Sequence, residues 1–144
     1  MDVEGILRGG KFKKLLEKTM ADAKNETNLN RLELDVIYLL FHYEDIKTLT
    51  DICLYTQMNK GHMSTTLDSL VKKGYIVCER DEKDRRYVKY SLAEASEQIC
   101  KEMDVLWSGL MSDIVDGIDS NSLDTFKQVA KQIDQNIDRL LEEK

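Results

Sequence analysis

The stretch Asn59–Leu92, NKGHMSTTLDSLVKKGYIVCERDEKDRRYVKYSL, decides the fold. Its spacing predicts a helix, an abrupt stop, a strand, a charged turn and a second strand. Asn59 can cap the helix, because its side-chain oxygen accepts a hydrogen bond from the free amides of the first turn. Met63, Leu67, Leu70 and Val71 recur at helical spacing and give one apolar face. Lys72 and Lys73 sit at the negative end of the helix dipole, and Gly74 supplies the left-handed backbone that ends it. YIVC (Tyr75–Cys78) then reads as a strand, RDEKDRR (Arg80–Arg86) as a turn, and YVKYSL (Tyr87–Leu92) as a second strand. In the second strand Val88 and Tyr90 fall on one face, Tyr87 and Lys89 on the other. Two β-type runs about a charged turn make a hairpin.

A helix followed at once by a basic hairpin is what a winged helix-turn-helix requires. The helix fits a major groove about 12 Å wide, and the hairpin tip can reach phosphates or the adjacent minor groove. Immediately upstream, Thr48-Leu-Thr-Asp51 offers a further N-cap, and Leu49, Ile52, Cys53 and Tyr55 predict the buried face of a short helix ending near Gln57. Two short helices joined through Met58 and Asn59 complete the helix-turn-helix, with the first bracing the second.

Further out, NRLE (Asn30–Glu33) has the capping-box form. Leu32, Val36, Ile37, Leu39, Leu40, Phe41 and Tyr43 then predict a core helix that is apolar nearly all round. Ile6, Leu7, Phe12, Leu15, Leu16, Met20 and Ala23, interrupted by Gly9 and Gly10, predict an N-terminal helix over about Lys11 to Lys24 with a separate turn before it. After the hairpin, Ala95, Ile99, Met103, Leu106, Trp107, Leu110, Met111, Ile114 and Val115 predict a long helix from Glu94 to Gly117. DSNS (Asp119–Ser122) is a capping turn, and the last helix runs from Leu123 through Phe126, Val129, Ala130, Ile133, Ile137, Leu140 and Leu141. The first and last two helices carry more apolar face than a small winged domain needs, and a second copy is the simplest cover for it.

The chain of 144 residues carries a net charge of −6, which taken whole argues against nucleic acid. The distribution argues the other way. Asn59–Ser91 holds eight Lys/Arg against five Asp/Glu, a local excess of +3, so the remainder stands at −9. A local basic patch is the relevant footprint for DNA. Three widely spaced cysteines, Cys53, Cys78 and Cys100, are unlike a disulfide framework and fit a reducing cytoplasm. No apolar run approaches the roughly 20 residues of a membrane span, and the N-terminus does not read as a secretory signal. His42, His62 and the cysteines show no metal-ligand spacing, and no phosphate loop, His-Glu-x-x-His or nucleophile elbow points to catalysis. The expectation is no enzyme, no metal and no cofactor.

The wing carries the most specific fragment. DEKDRR (Asp81–Arg86) resembles the D-x-R-D-x-R pattern of the MarR family of bacterial winged-helix regulators, with Lys83 in the first arginine's place. LVKKGYI (Leu70–Ile76) followed by Arg80, and the Ser91-Leu92 that closes the wing, are similar to that family too, and the order of elements matches along nearly the whole chain. The resemblance implies a mostly α fold with a small β-hairpin. Residues 1–144 would form one domain, with 30–92 the DNA-binding lobe and 1–29 plus 93–144 the dimerisation region. It also implies a homodimer on double-stranded DNA, transcriptional control, and a cleft for a small-molecule ligand between the dimer helices and the DNA-binding lobe. Thr65 and Thr66 depart from the pattern: many members have an arginine and an aliphatic residue there, so a bidentate guanine contact from position 65 is excluded.

The expected DNA contacts are therefore Lys60, His62, Ser64 and Thr65 at the start of the recognition helix, and Lys83, Arg85 and Arg86 at the wing. Asp81 and Asp84 are the wing's scaffold, with Arg85 as the inserted residue and Arg86 as the one Asp84 holds. Cys78, two residues from Arg80, is the thiol a cation could activate, whereas Cys53 and Cys100 fall on apolar faces. The function expected is a sequence-specific regulator, a repressor, reading a pseudo-palindromic site. The alternative is a winged helix that docks a protein partner without specific DNA binding.

Overall fold

The computed structural model describes residues 9–143. Ile6 and Leu7 lie outside them, as does the side chain of Ala23. Six α-helices and one hairpin are described, in the order α1 (Gly10–Glu26), α2 (Arg31–His42), α3 (Leu49–Thr56), α4 (Lys60–Lys72), β1 (Ile76–Arg80), β2 (Val88–Leu92), α5 (Glu97–Ile114) and α6 (Ser120–Glu142). A single 3-10 turn, Glu94–Ser96, leads into α5. The mostly helical winged fold expected from the sequence is the one observed.

Helix starts follow the caps. Asn30 accepts from the Glu33 amide while Glu33 accepts from the Asn30 amide, and Thr48 and Asp51 do the same for α3. Asn59 accepts from the His62 amide at 2.8 Å. At the other end of α4, Tyr75 N–H reaches Leu70 C=O and Gly74 N–H reaches Val71 C=O, each at 3.0 Å. Those two bonds form a Schellman stop, which needs the φ of +82° that Gly74 adopts. The α3–α4 junction is turned by Gln57, whose φ is +58°.

One core joins α2, α3, α4 and β1 through Leu34, Ile37, Ile52, Met63, Leu67, Leu70 and Ile76, all at most 1% exposed. Met20 of α1 and Cys100 and Met103 of α5 belong to the same cluster. Each such side chain contributes roughly 1.5–3 kcal/mol by leaving water. The strands pair antiparallel from Ile76 opposite Leu92 to Arg80 opposite Val88. Lys47 C=O, in the loop before α3, accepts from Tyr90 N–H at 2.7 Å and ties the hairpin to the helix-turn-helix.

Several boundaries and faces differ from expectation. Both strands start one residue later than the pattern suggests, because the Tyr75 amide closes the stop of α4 and Tyr87 spends its backbone closing the wing loop. The long helix stops at Ile114, before Gly117 turns to a φ of +79°, and the last helix starts at Ser120 rather than Leu123, because Asp119, the first residue of the capping turn, caps it. Tyr55 is 53% exposed, its hydroxyl donating to that of Tyr43 at 2.6 Å, and Val71 is 38% exposed on the outer side of α4. By compactness the chain divides into two units, one reaching to Ser108 and one starting at Gly109. In the second unit α6 buries none of its residues.

Candidate nucleic-acid interface

Helix α4 is held from within the core and left free on its outer side. Its inner side buries Met63, Thr66, Leu67 and Leu70. Thr66 satisfies its hydroxyl by donating to His62 C=O at 3.1 Å, so a polar residue sits in an otherwise aliphatic seam without an orphaned group. The flank facing α2 is fixed by a buried carboxylate. Glu33, 2% exposed, accepts from Ser69 Oγ at 2.8 Å and from Lys73 Nζ at 2.8 and 3.1 Å, besides its capping bond. Lys73 also donates to Asn28 C=O at 2.7 Å. Burial works to raise the Glu33 carboxyl, but the bonds from Lys73, Ser69 and the Asn30 amide outweigh it and hold it below its usual range. This lock was not anticipated from the sequence, where Glu33 stood only as a cap and Lys73 only as a dipole partner.

Lys60, His62 and Thr65 are exposed and Ser64 half-buried on the first two turns of α4. Thr65 Oγ1 donates to Gly61 C=O at 3.1 Å. At the wing, Asp81 Oδ1 accepts from the Lys83 amide at 2.8 Å and Asp84 Oδ1 from the Arg86 amide at 3.1 Å, two successive Asx turns that shape the loop. Asp81 N–H to Tyr87 C=O and Tyr87 N–H to Asp84 C=O, both 2.9 Å, close it. Arg86 Nε donates back to Asp84 at 3.3 Å, whereas Arg85 makes no ion pair among the described residues. Lys83, Arg85 and Arg86 are all exposed. The structure thus puts the cations named from the sequence on the two elements that could meet a duplex, and both aspartates under the loop.

Cys78 is exposed on β1 opposite Tyr90, Cys53 is half-buried, and burial pushes the Cys100 thiol up to about 11. Among the described residues no group of His, Cys, Asp or Glu could hold a metal ion, and no helix is long and apolar enough to cross a membrane.

Residues 29–96 match the family model described as winged helix DNA-binding domain. Around it, the crystal structure of MarR superposes with a TM-score of 0.76 at 16% identity, covering 100% of this chain and 96% of that one. The S. aureus MepR–DNA complex superposes with a TM-score of 0.72 at 14% identity, covering 95% and 99%. The fold is that of MarR, and the resemblance drawn from the wing is borne out as a likeness of fold. YpoP of Bacillus subtilis, an uncharacterised HTH-type transcriptional regulator, is 28% identical over 91 residues, 59% of this chain and 64% of that protein. The match thus spans less than two thirds of that curated relative's length. The segment matched by the family model contains α4, the hairpin and the Glu33 lock together.

Proposed function

We propose that this chain is a cytoplasmic, sequence-specific transcriptional repressor that binds a pseudo-palindromic operator as a homodimer. One observation carries the reading. Helix α4 is locked on its inner side by the core and Glu33, and presents a polar outer side next to a hairpin tip with three exposed cations. In this reading Lys60, His62, Ser64 and Thr65 meet base edges and phosphates in the major groove, while Arg85 enters the minor groove, where narrow tracts attract arginine. Arg86 stays with Asp84 and stiffens the loop, and Lys83 adds a phosphate contact. The capture of S. aureus MepR with DNA supports the assignment by analogy of fold.

The homodimer is supported by α6. Phe126, Val129, Ile137, Leu140 and Leu141 are 44–67% exposed along one 23-residue helix, an apolar stripe that water does not favour. A second copy covers it by symmetry and sets two recognition helices about 34 Å apart. Control by a small molecule is supported by a cleft of about 510 Å3 between α1, α2, α3 and α5. Leu16, Met20, Tyr38, Met103 and Trp107 line it with apolar surface, and Lys13, Arg31 and Asp35 add charge. A ligand there regulates only in so far as it fits one lobe geometry better than another.

Selection from a pool of randomised duplexes tests the reading. The expected product is an inverted repeat whose half-site centres lie about 10 bp apart. Absence of any enriched sequence would count against it and favour the protein-docking alternative.

A further inference from the structure

We propose that Asp68 determines specificity, accepting a hydrogen bond from a cytosine amine in the major groove, and that Gly61 lets α4 come close enough for that contact. The proposal rests on the DNA-binding reading above. Opposite the buried side of α4, Gly61, Thr65, Asp68 and Lys72 follow at i, i+4, i+7 and i+11, which places them on one face, and all four are exposed. Asp68 is the only acid in this helix and it stands in the middle of the outward face. It makes no hydrogen bond or ion pair among the described residues, neither with Lys72 one turn on nor with Arg80 of the wing, although its charge reaches Tyr90 of β2, whose phenol burial, then Cys78 and Asp68 push up.

A carboxylate without a hydrogen-bond or ion-pair partner, on a surface that must approach phosphates, weakens binding to every duplex. It is compatible with tight binding where it meets a donor. In the major groove the cytosine N4 amine is the donor that suits a carboxylate, whereas guanine N7 and O6 and thymine O4 present acceptors that repel it. Asp68 therefore selects by attraction to one base and by repulsion of two others, which is how specificity commonly exceeds what contacts alone provide.

Gly61 supports the same placement from the opposite direction. A Cβ built there meets only Asn59 Oδ1, at 3.6 Å, which is ordinary contact, and the backbone is not in the left-handed region. Alanine would fit and would favour the helix. Nothing inside the described fold requires glycine, but close approach of a partner's backbone does. Thr65, between the two, uses its hydroxyl proton on Gly61 C=O and so offers only acceptor lone pairs and a methyl group outward.

The test repeats the duplex selection with the full-length wild type, Asp68→Asn, Asp68→Ala and Gly61→Ala, alongside thermal melts. The wild type should fix a cytosine at one position of each half-site. Asp68→Asn should move that preference to adenine, whose N6 and N7 suit an amide, and Asp68→Ala should abolish it, each shifting discrimination by roughly tenfold. Recovery of the wild-type sequences by both variants, with affinity raised alike for all duplexes, would show a field effect only and overturn the proposal. Gly61→Ala should melt above the wild type yet bind the selected duplex about tenfold more weakly; a higher melting point with undiminished binding would overturn Gly61's role. A wild type that enriches no sequence overturns the DNA-binding reading and this assignment with it.

Discussion

Glu33 stays charged at 2% exposure because four hydrogen bonds from Asn30, Ser69 and Lys73 replace the water it gave up. Glu33→Gln keeps the shape but leaves Lys73 facing a neutral amide, and we expect a loss of about 1–3 kcal/mol in urea unfolding. The pH dependence follows from the direction of the shift. The folded carboxyl lies below its unfolded value, so its contribution is complete above that value, about 4.3, and fades as pH falls through the folded one. Asp51 adds to the same acid limb, held low by hydrogen bonds from Thr48 first and Lys47 after, with burial opposing them. Stability measured between pH 5 and 3 should therefore fall less steeply in Glu33→Gln than in the wild type. The caps at Asn30, Thr48 and Asn59 were legible because donor and acceptor lie three residues apart. The Glu33 lock was not, because Ser69 and Lys73 are 36 and 40 residues away and no local pattern selects them among the chain's bases and hydroxyls.

At the scale of elements, α4 passes into the hairpin through the left-handed turn at Gly74. Gly74→Ala keeps open space around the new methyl but forces an L-residue to a φ of +82°, and should cost about 1–2 kcal/mol in denaturant unfolding. The wing itself was legible from alternation and from the two aspartates, since Asx turns are local devices. Periodicity could not say which apolar residues find neighbours. Val71 shares the spacing of Leu67 and Leu70, yet it lies toward the outer side of α4 and is 38% exposed. Tyr55 likewise keeps its ring against Tyr43, with centroids 4.9 Å apart, while burial and then the bond to Tyr43 push its phenol up to about 12. For the wing, Asp84→Ala removes an acceptor for both the Arg86 amide and Nε. In the DNA-binding reading it should weaken binding several-fold through loss of loop order, with little change in the melting temperature. Unchanged affinity in anisotropy titrations would place the DNA contacts elsewhere.

At the scale of the whole molecule, the apolar stripe of α6 was visible as a surplus of face in the sequence, and the structure leaves that helix with no buried residue. In the homodimer reading, charge placed on the stripe should separate copies without disturbing the winged lobe. Val129→Glu with Ile137→Glu is expected to sediment as a monomer and to bind DNA roughly a hundredfold more weakly, because two linked half-site contacts become one. The net charge of −6 hides a local excess of +3 over Asn59–Ser91, so DNA binding by this stretch is best tested through its electrostatics. Fluorescence anisotropy with duplex from upstream of the protein's own gene, against a scrambled duplex across a salt series, does this directly. DNA binding through α4 and the wing requires selective binding to the upstream duplex that falls steeply with salt, and a slope shallower by about one in Arg85→Ala. Weak, equal binding to both duplexes, or a slope that Arg85→Ala leaves unchanged, would contradict it.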